Sequence, residues 1–159
     1  MQNIRIITVG TLKEEFLKDA VAEYTKRLSR FYRIEIIELK ESRVGDSPSE
    51  KEIESALFDE ADKILSSIPQ QAVVFALCVE GTQLSSEELS QKIEQSAQRA
   101  SDLVYVIGSS HGLSEKVKQR ADFKLSVSKL TFPHQLMRVI LLESIYRSFN
   151  IQNGTKYHK

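Results

Sequence analysis

A chain of 159 residues, 41% hydrophobic and 28% charged, has room for one ordinary core and needs no disulfide or metal to hold it. No apolar run approaches a membrane span, and the first residues, Met1 to Arg5, lack the apolar stretch of a signal peptide. Lysine plus arginine equals aspartate plus glutamate at 22 each, so global charge gives no support to nucleic-acid binding; any RNA contact must be a local basic patch or one shared between subunits.

In chain order, residues 4–9 alternate as a strand, broken by Gly10-Thr11. Between residues 13 and 29, Phe16, Leu17, Ala20, Val21, Tyr24 and Leu28 recur at helical spacing. Residues 34–39 form a second strand, and the polar stretch 40–46 reads as a surface loop. Ser47-Pro48-Ser49-Glu50 opens a helix, with Ser47 as cap, proline in the first turn and Glu50 closing a capping box. Its stripe is Ile53, Leu57, Ala61, Ile64 and Ile68, and Pro69 ends it.

Residues 73–79 are apolar on both faces, as in the middle of a parallel sheet. Cys78, the single cysteine, falls inside this run and reads as a buried, inert thiol; a cytoplasmic location is the default that follows. Ser85-Ser86-Glu87-Glu88 is a second capping box, with Leu89, Ile93 and Ala97 facing inward. Residues 103–107 are another apolar strand, a short helix follows from Ser114 to about Arg120, and residues 124–127 form a last short strand. Strands alternating with helices define an α/β domain, residues 1–159, with a mostly parallel sheet and helices on both faces.

The final helix, from Pro133 or His134 to about Asn150, is apolar almost all round: Leu136, Met137, Val139, Ile140, Leu141, Leu142, Ile145, Tyr146 and Phe149 surround its axis. One side packs on the sheet, and the simplest cover for the rest is the same helix of a second subunit, which makes a homodimer. His134 and Arg138 share a face near its N-terminus, where backbone donors can hold a carboxylate or phosphate. Glu143 and Arg147 are spaced for an intrahelical ion pair.

Ligands of open parallel sheets gather at the carboxyl ends of strands. Three segments end strands here: Leu77-Cys78-Val79-Glu80-Gly81, Gly108-Ser109-Ser110-His111-Gly112 and Ser128-Lys129-Leu130-Thr131-Phe132-Pro133-His134. The glycine spacing is neither a dinucleotide fingerprint nor a P-loop. The three histidines lie on separate segments without metal-ligand spacing, so no metal is expected. The tail Lys156-Tyr157-His158-Lys159 is basic with aromatic rings on which a base can stack.

The segments Ile107 to Gly112, Leu125 to Arg138 and the terminal Tyr157-His158-Lys159, together with Val9-Gly10 and Tyr24 to Leu28, resemble the bacterial ribosomal large-subunit pseudouridine N3-methyltransferase family of the SPOUT superfamily. The likeness runs the whole chain, and the T-F-P-H-Q-x-x-R stretch is its most specific part; the glycine loop departs from the pattern at Ser109 and His111. This resemblance implies an α/β fold with a C-terminal deep trefoil knot, a homodimer, S-adenosylmethionine as cofactor and a pseudouridine of 23S rRNA on the assembled ribosome as substrate. By position it implies cofactor contacts from Leu77, Gly108 and the run Val127, Ser128, Lys129, Leu130, Thr131 and Phe132. Arg138 is expected at a substrate phosphate or base, with Tyr157 and His158 supplied by the partner subunit and His158 as a proton acceptor. A SPOUT enzyme acting on another RNA such as tRNA, and a ribosome-binding factor without catalysis, are the competing readings.

Overall fold

The computed structural model describes residues 1–159. Five strands and five helices alternate along the chain: β1 (Asn3–Val9), α1 (Glu15–Leu28), β2 (Arg33–Leu39), α2 (Glu50–Ser66), β3 (Val73–Thr82), α3 (Ser86–Arg99), β4 (Asp102–Ile107), α4 (Glu115–Arg120), β5 (Phe123–Leu125) and α5 (His134–Gln152). All strand pairs are parallel, in the order β2-β1-β4-β3-β5. The expected parallel α/β architecture is therefore what the chain adopts. No helix is long and apolar enough to cross a membrane.

The two-residue period of a strand sends neighbouring side chains to opposite faces, and the core splits accordingly. Ile4, Ile6, Phe75, Leu103 and Tyr105 pack with α1, α3 and α5, while Ile7, Val9, Val74, Val104 and Val106 pack with Ala61 and Ile64 of α2 and Val117 of α4. This is why β3 and β4 read as apolar on both faces: each face has its own helical layer. Strand β2 lies at an edge, and none of its seven side chains is buried.

Several local details differ from the sequence-based expectation. The α2 cap is Ser49, not Ser47; its side chain accepts from the Glu52 backbone N–H, so the helix begins at Glu50 with Pro48 outside it. Both serines satisfy the same local chemistry, and the loop after β2 decides between them. Phe16 belongs to the apolar stripe of α1 by spacing, yet it is exposed, while Leu17, Val21 and Leu28 turn to the core. Strand β5 runs from Phe123 to Leu125 instead of reaching Val127; beyond it the chain turns into the segment braced by the Ser126 Oγ bond to Ser128 O. The Ser85–Glu88 capping box forms as read from the sequence.

Candidate cofactor and RNA site

The carboxyl ends of β3, β4 and β5 open onto one cavity of about 700 Å³. That is within the range of sites for ligands of cofactor size. Each wall has a local cause. After Leu77, which pairs with Leu125, strand β3 bulges outward and regains its neighbour only at Thr82. The bulge swings Cys78, Val79 and Glu80 into the lining.

The wall from β4 is a tight turn. Gly112 has φ +88°, and a Cβ on Gly108 would collide with the Gly112 carbonyl oxygen, so both positions need glycine. The Gly112 N–H donates to Ser109 O at 2.9 Å, which closes the turn.

The third wall, after β5, is self-braced: Ser126 Oγ donates to Ser128 O at 3.1 Å, and the Leu130 N–H donates to Ser128 Oγ at 3.0 Å. Pro133, His134 and Met137 bring the first turn of α5 to the same cavity, and this helix has no side-chain cap on its N-terminal donors. The lining mixes apolar side chains (Leu77, Ile107, Leu125, Val127, Leu130, Phe132 and Met137) with strand-end backbone. Val79 (67% exposed) and Leu130 (70%) stand at its mouth.

Leu77, Gly108, Val127, Ser128, Leu130, Thr131 and Phe132 are thus brought together around one space, as expected. Lys129 is not: it is exposed and lies outside the lining. Cys78 is half-buried and faces the cavity, a correction to the fully buried thiol expected from its apolar run; the β3 bulge turns it out. Burial still pushes its thiol pKa up. Sequence reading gave no role to Glu80 and Lys118, which form an ion pair in the wall. The bond to Lys118 holds the Glu80 carboxyl below the usual carboxylate range.

Arg138 departs most from expectation. It is 1% exposed and points into the fold, not toward solvent. Its Nη1 donates to Glu38 Oε2 at 2.6 Å and its Nη2 to the Gly10 carbonyl at 2.7 Å. The same Glu38 oxygen accepts the Leu12 N–H at 3.1 Å, and Gln135 Oε1 accepts the Lys13 N–H at 3.1 Å. The first turn of α5 thereby grips the loop between β1 and α1. Two of its five N–H donors are committed in this way, and its Nε is buried without a partner. His134, four residues earlier, lies on the cavity side, where its ring borders Gly10.

Tyr157 and His158 do not reach the cavity of their own chain. The Tyr157 hydroxyl donates to Glu143 Oε1 at 3.0 Å, and its ring lies edge-on to Tyr146. Burial and the Glu143 bond push the phenol up to about 12, so it stays a donor at neutral pH. His158 Nε2 lies 2.8 Å from Glu87 Oε1, and Arg147 Nη1 lies 3.3 Å from His158 Nδ1. The Glu143–Arg147 ion pair is present, with Arg147 Nη2 donating at 2.6 Å. Around α5, the side chains of Leu136, Val139 and Ile140 are only half-buried.

An open parallel sheet flanked by helices, with a ligand-sized cavity over the carboxyl ends of its strands, has the layout of α/β proteins whose ligands sit at strand ends. The chain belongs to the SPOUT methyltransferase family: the family model for predicted SPOUT methyltransferases matches residues 2–158. It is 48% identical over 157 residues to the ribosomal RNA large subunit methyltransferase H of Streptococcus gordonii, covering 98% of this chain and 99% of the relative. The protein of the same name from Streptococcus thermophilus strain CNRZ 1066 is 49% identical with the same coverage. That from Leuconostoc mesenteroides is 47% identical, covering 99% of both chains.

Proposed function

We propose that this protein transfers a methyl group from S-adenosylmethionine to N3 of a pseudouridine in large-subunit ribosomal RNA, in the cytoplasm, as a homodimer on the assembled ribosome. The observation that carries this reading is the cavity itself: three strand-end loops converge on a space of about 700 Å³ with apolar walls, a glycine turn and uncapped helix donors. These features suit an adenosyl group and an amino-acid carboxylate. The printed names of the relatives supply the ribosomal RNA substrate.

Leu77, Gly108, Val127, Ser128, Leu130, Thr131 and Phe132 would hold the cofactor. Gly108 matters because a side chain there would collide with the Gly112 carbonyl and break the turn that forms one wall. When bound, S-adenosylmethionine supplies an electrophilic methyl group. The residues of this chain have to exclude water, orient the acceptor nitrogen and help remove its proton. Lys129, exposed beside the mouth, is free to meet substrate phosphate. Arg138 acts as a positioning residue for the loop after β1. Tyr157 and His158 act in the partner's site, with His158 accepting the imide proton; neither lines the cavity of its own chain, which supports this arrangement. The chain after β5 forms the trefoil knot of the family, within a single domain spanning residues 1–159.

A protein of zero net charge has little general affinity for naked RNA. It gains from a folded ribosome, where shape and several weak contacts add up. Protein, labelled methyl donor and vacant ribosomes should give label on one pseudouridine of large-subunit RNA, identified by nuclease mapping and nucleoside mass spectrometry. A bare stem-loop transcript should be methylated poorly. Label on tRNA alone would favour another SPOUT substrate, and no transfer to any RNA would defeat the proposal.

A further inference from the structure

His158 is held at both nitrogens of its ring. Nε2 lies 2.8 Å from Oε1 of Glu87, in the first turn of α3, and Nδ1 lies 3.3 Å from Nη1 of Arg147, on α5. The chemistry of these two neighbours fixes the proton. A guanidinium can only donate, so Nδ1 presents its lone pair to Arg147. The single ring proton then sits on Nε2 and is donated to Glu87, which makes the ring the neutral Nε2–H tautomer. Glu87 is ionised to receive it: the bond to His158 holds its carboxyl below the usual carboxylate range.

The two bonds are unequal. At 2.8 Å the bond to Glu87 has the length of a charge-assisted contact, whereas 3.3 Å lies past the usual range for an N–H donor. Arg147 is also committed elsewhere, with Nε and Nη2 both on Glu143 Oε1. An incoming N–H donor can therefore displace Arg147 from Nδ1 and leave the Glu87 bond in place. The neighbouring Glu88 has no part in this, because its carboxylate accepts the Ser85 backbone N–H in the capping box. We propose that Glu87 is a positioning residue for methyl transfer, fixing the tautomer and direction of His158 so that Nδ1 is the nitrogen that takes the imide proton. The inference rests on reading His158 as the proton acceptor.

In that step the N3–H bond of the imide breaks as an Nδ1–H bond forms. The electron pair left on N3 makes the bond to the methyl carbon, while the carbon–sulfur bond breaks and its pair stays on sulfur. The ring is then an imidazolium whose Nε2–H remains on Glu87, so a negative charge faces the positive one it has gained. Water afterwards takes the proton. Without Glu87 the neutral ring divides between its two tautomers, and the Nδ1–H form has no lone pair to offer at that position.

Glu87 is exposed, so its variants should fold as the wild type does. Two measurements on the full-length protein test its role. The first needs no substrate: the ring nitrogen resonances of His158 in mildly alkaline solution, assigned by their loss in His158→Ala. The wild type should show a protonated Nε2 and an unprotonated Nδ1. In Glu87→Ala the two resonances should move toward each other as the tautomers interchange. Glu87→Gln, whose amide oxygen accepts the same proton, should stay close to wild type. The second is single-turnover methyl transfer to ribosomes at saturating S-adenosylmethionine. Glu87→Ala should slow it about 10- to 100-fold, within the share that a positioned base contributes. Its cofactor Kd and thermal midpoint should be unchanged, and Glu87→Gln should regain most of the rate.

A Glu87→Ala protein with wild-type ring resonances would overturn the proposal. So would one that keeps the wild-type rate while His158→Ala is slow. A slow Glu87→Ala whose thermal midpoint and cofactor affinity fall in step also overturns it, because general loss of structure then accounts for the rate. A wild-type rate in His158→Ala defeats the proton-acceptor reading itself. The two failures are told apart by the ring resonances, which Glu87→Ala then still shifts.

Discussion

Arg138 brings a full charge into the interior and meets two oxygens there, the Glu38 carboxylate and the Gly10 carbonyl. Only its Nε is left without a partner. Truncating such a residue strands both oxygens and frees the loop between β1 and α1. Arg138→Ala should therefore cost about 2–3 kcal/mol of stability, less than a fully buried pair would lose because the Glu38 side chain is 40% exposed. Methyl transfer should fall together with the thermal midpoint. Glu38→Gln should lose less, because it still accepts from Arg138. Denaturant unfolding alongside single-turnover assays separates the possibilities: an Arg138→Ala protein of unchanged stability with lost activity would return the residue to a direct substrate contact.

At the scale of elements, caps decide where helices start. Ser49→Ala and Ser85→Ala each remove an acceptor from a backbone donor. Each should lower stability by about 1 kcal/mol, whereas Ser47→Ala, outside the helix, should be neutral within error. Equal losses at Ser47 and Ser49, read from urea midpoints, would place the α2 start two residues earlier. The order and type of elements were legible because every segment has a clear period, and the cavity was legible because a parallel sheet presents its strand ends together. The rest depended on contacts between segments distant in sequence. The β3 bulge that exposes Cys78 arises from pairing with β5, and no local signal marks it. Arg138 reads as surface because its partner Glu38 lies 100 residues away. The buried acid Glu60 had a signal that the apolar count passed over: it stands at helical spacing between Ile53, Leu57 and Ile64, an acid inside a core stripe.

For the whole molecule, the distance between the cavity and the tail is the decisive geometry. Tyr157 and His158 are held against α5 and α3 through Glu143 and Glu87, apart from the cavity their own chain builds. Leu136, Val139 and Ile140 give α5 a half-buried apolar flank. If a second subunit packs on that flank, each active site combines one chain's cavity with the other chain's tail, and damage to the two halves should complement. A Gly108→Val subunit loses the cavity, since its side chain would collide with the Gly112 carbonyl. A Tyr157→Ala/His158→Ala subunit loses the tail. Each homodimer should be inactive. After unfolding and refolding an equal mixture, half of the dimers are mixed and one of their two sites is whole, so about a quarter of wild-type activity should return. A tail that serves its own cavity leaves no whole site in a mixed dimer, because each chain carries one defect, and activity stays at the level of the separate variants. Monomers in sedimentation at working concentration would remove the basis for sharing altogether.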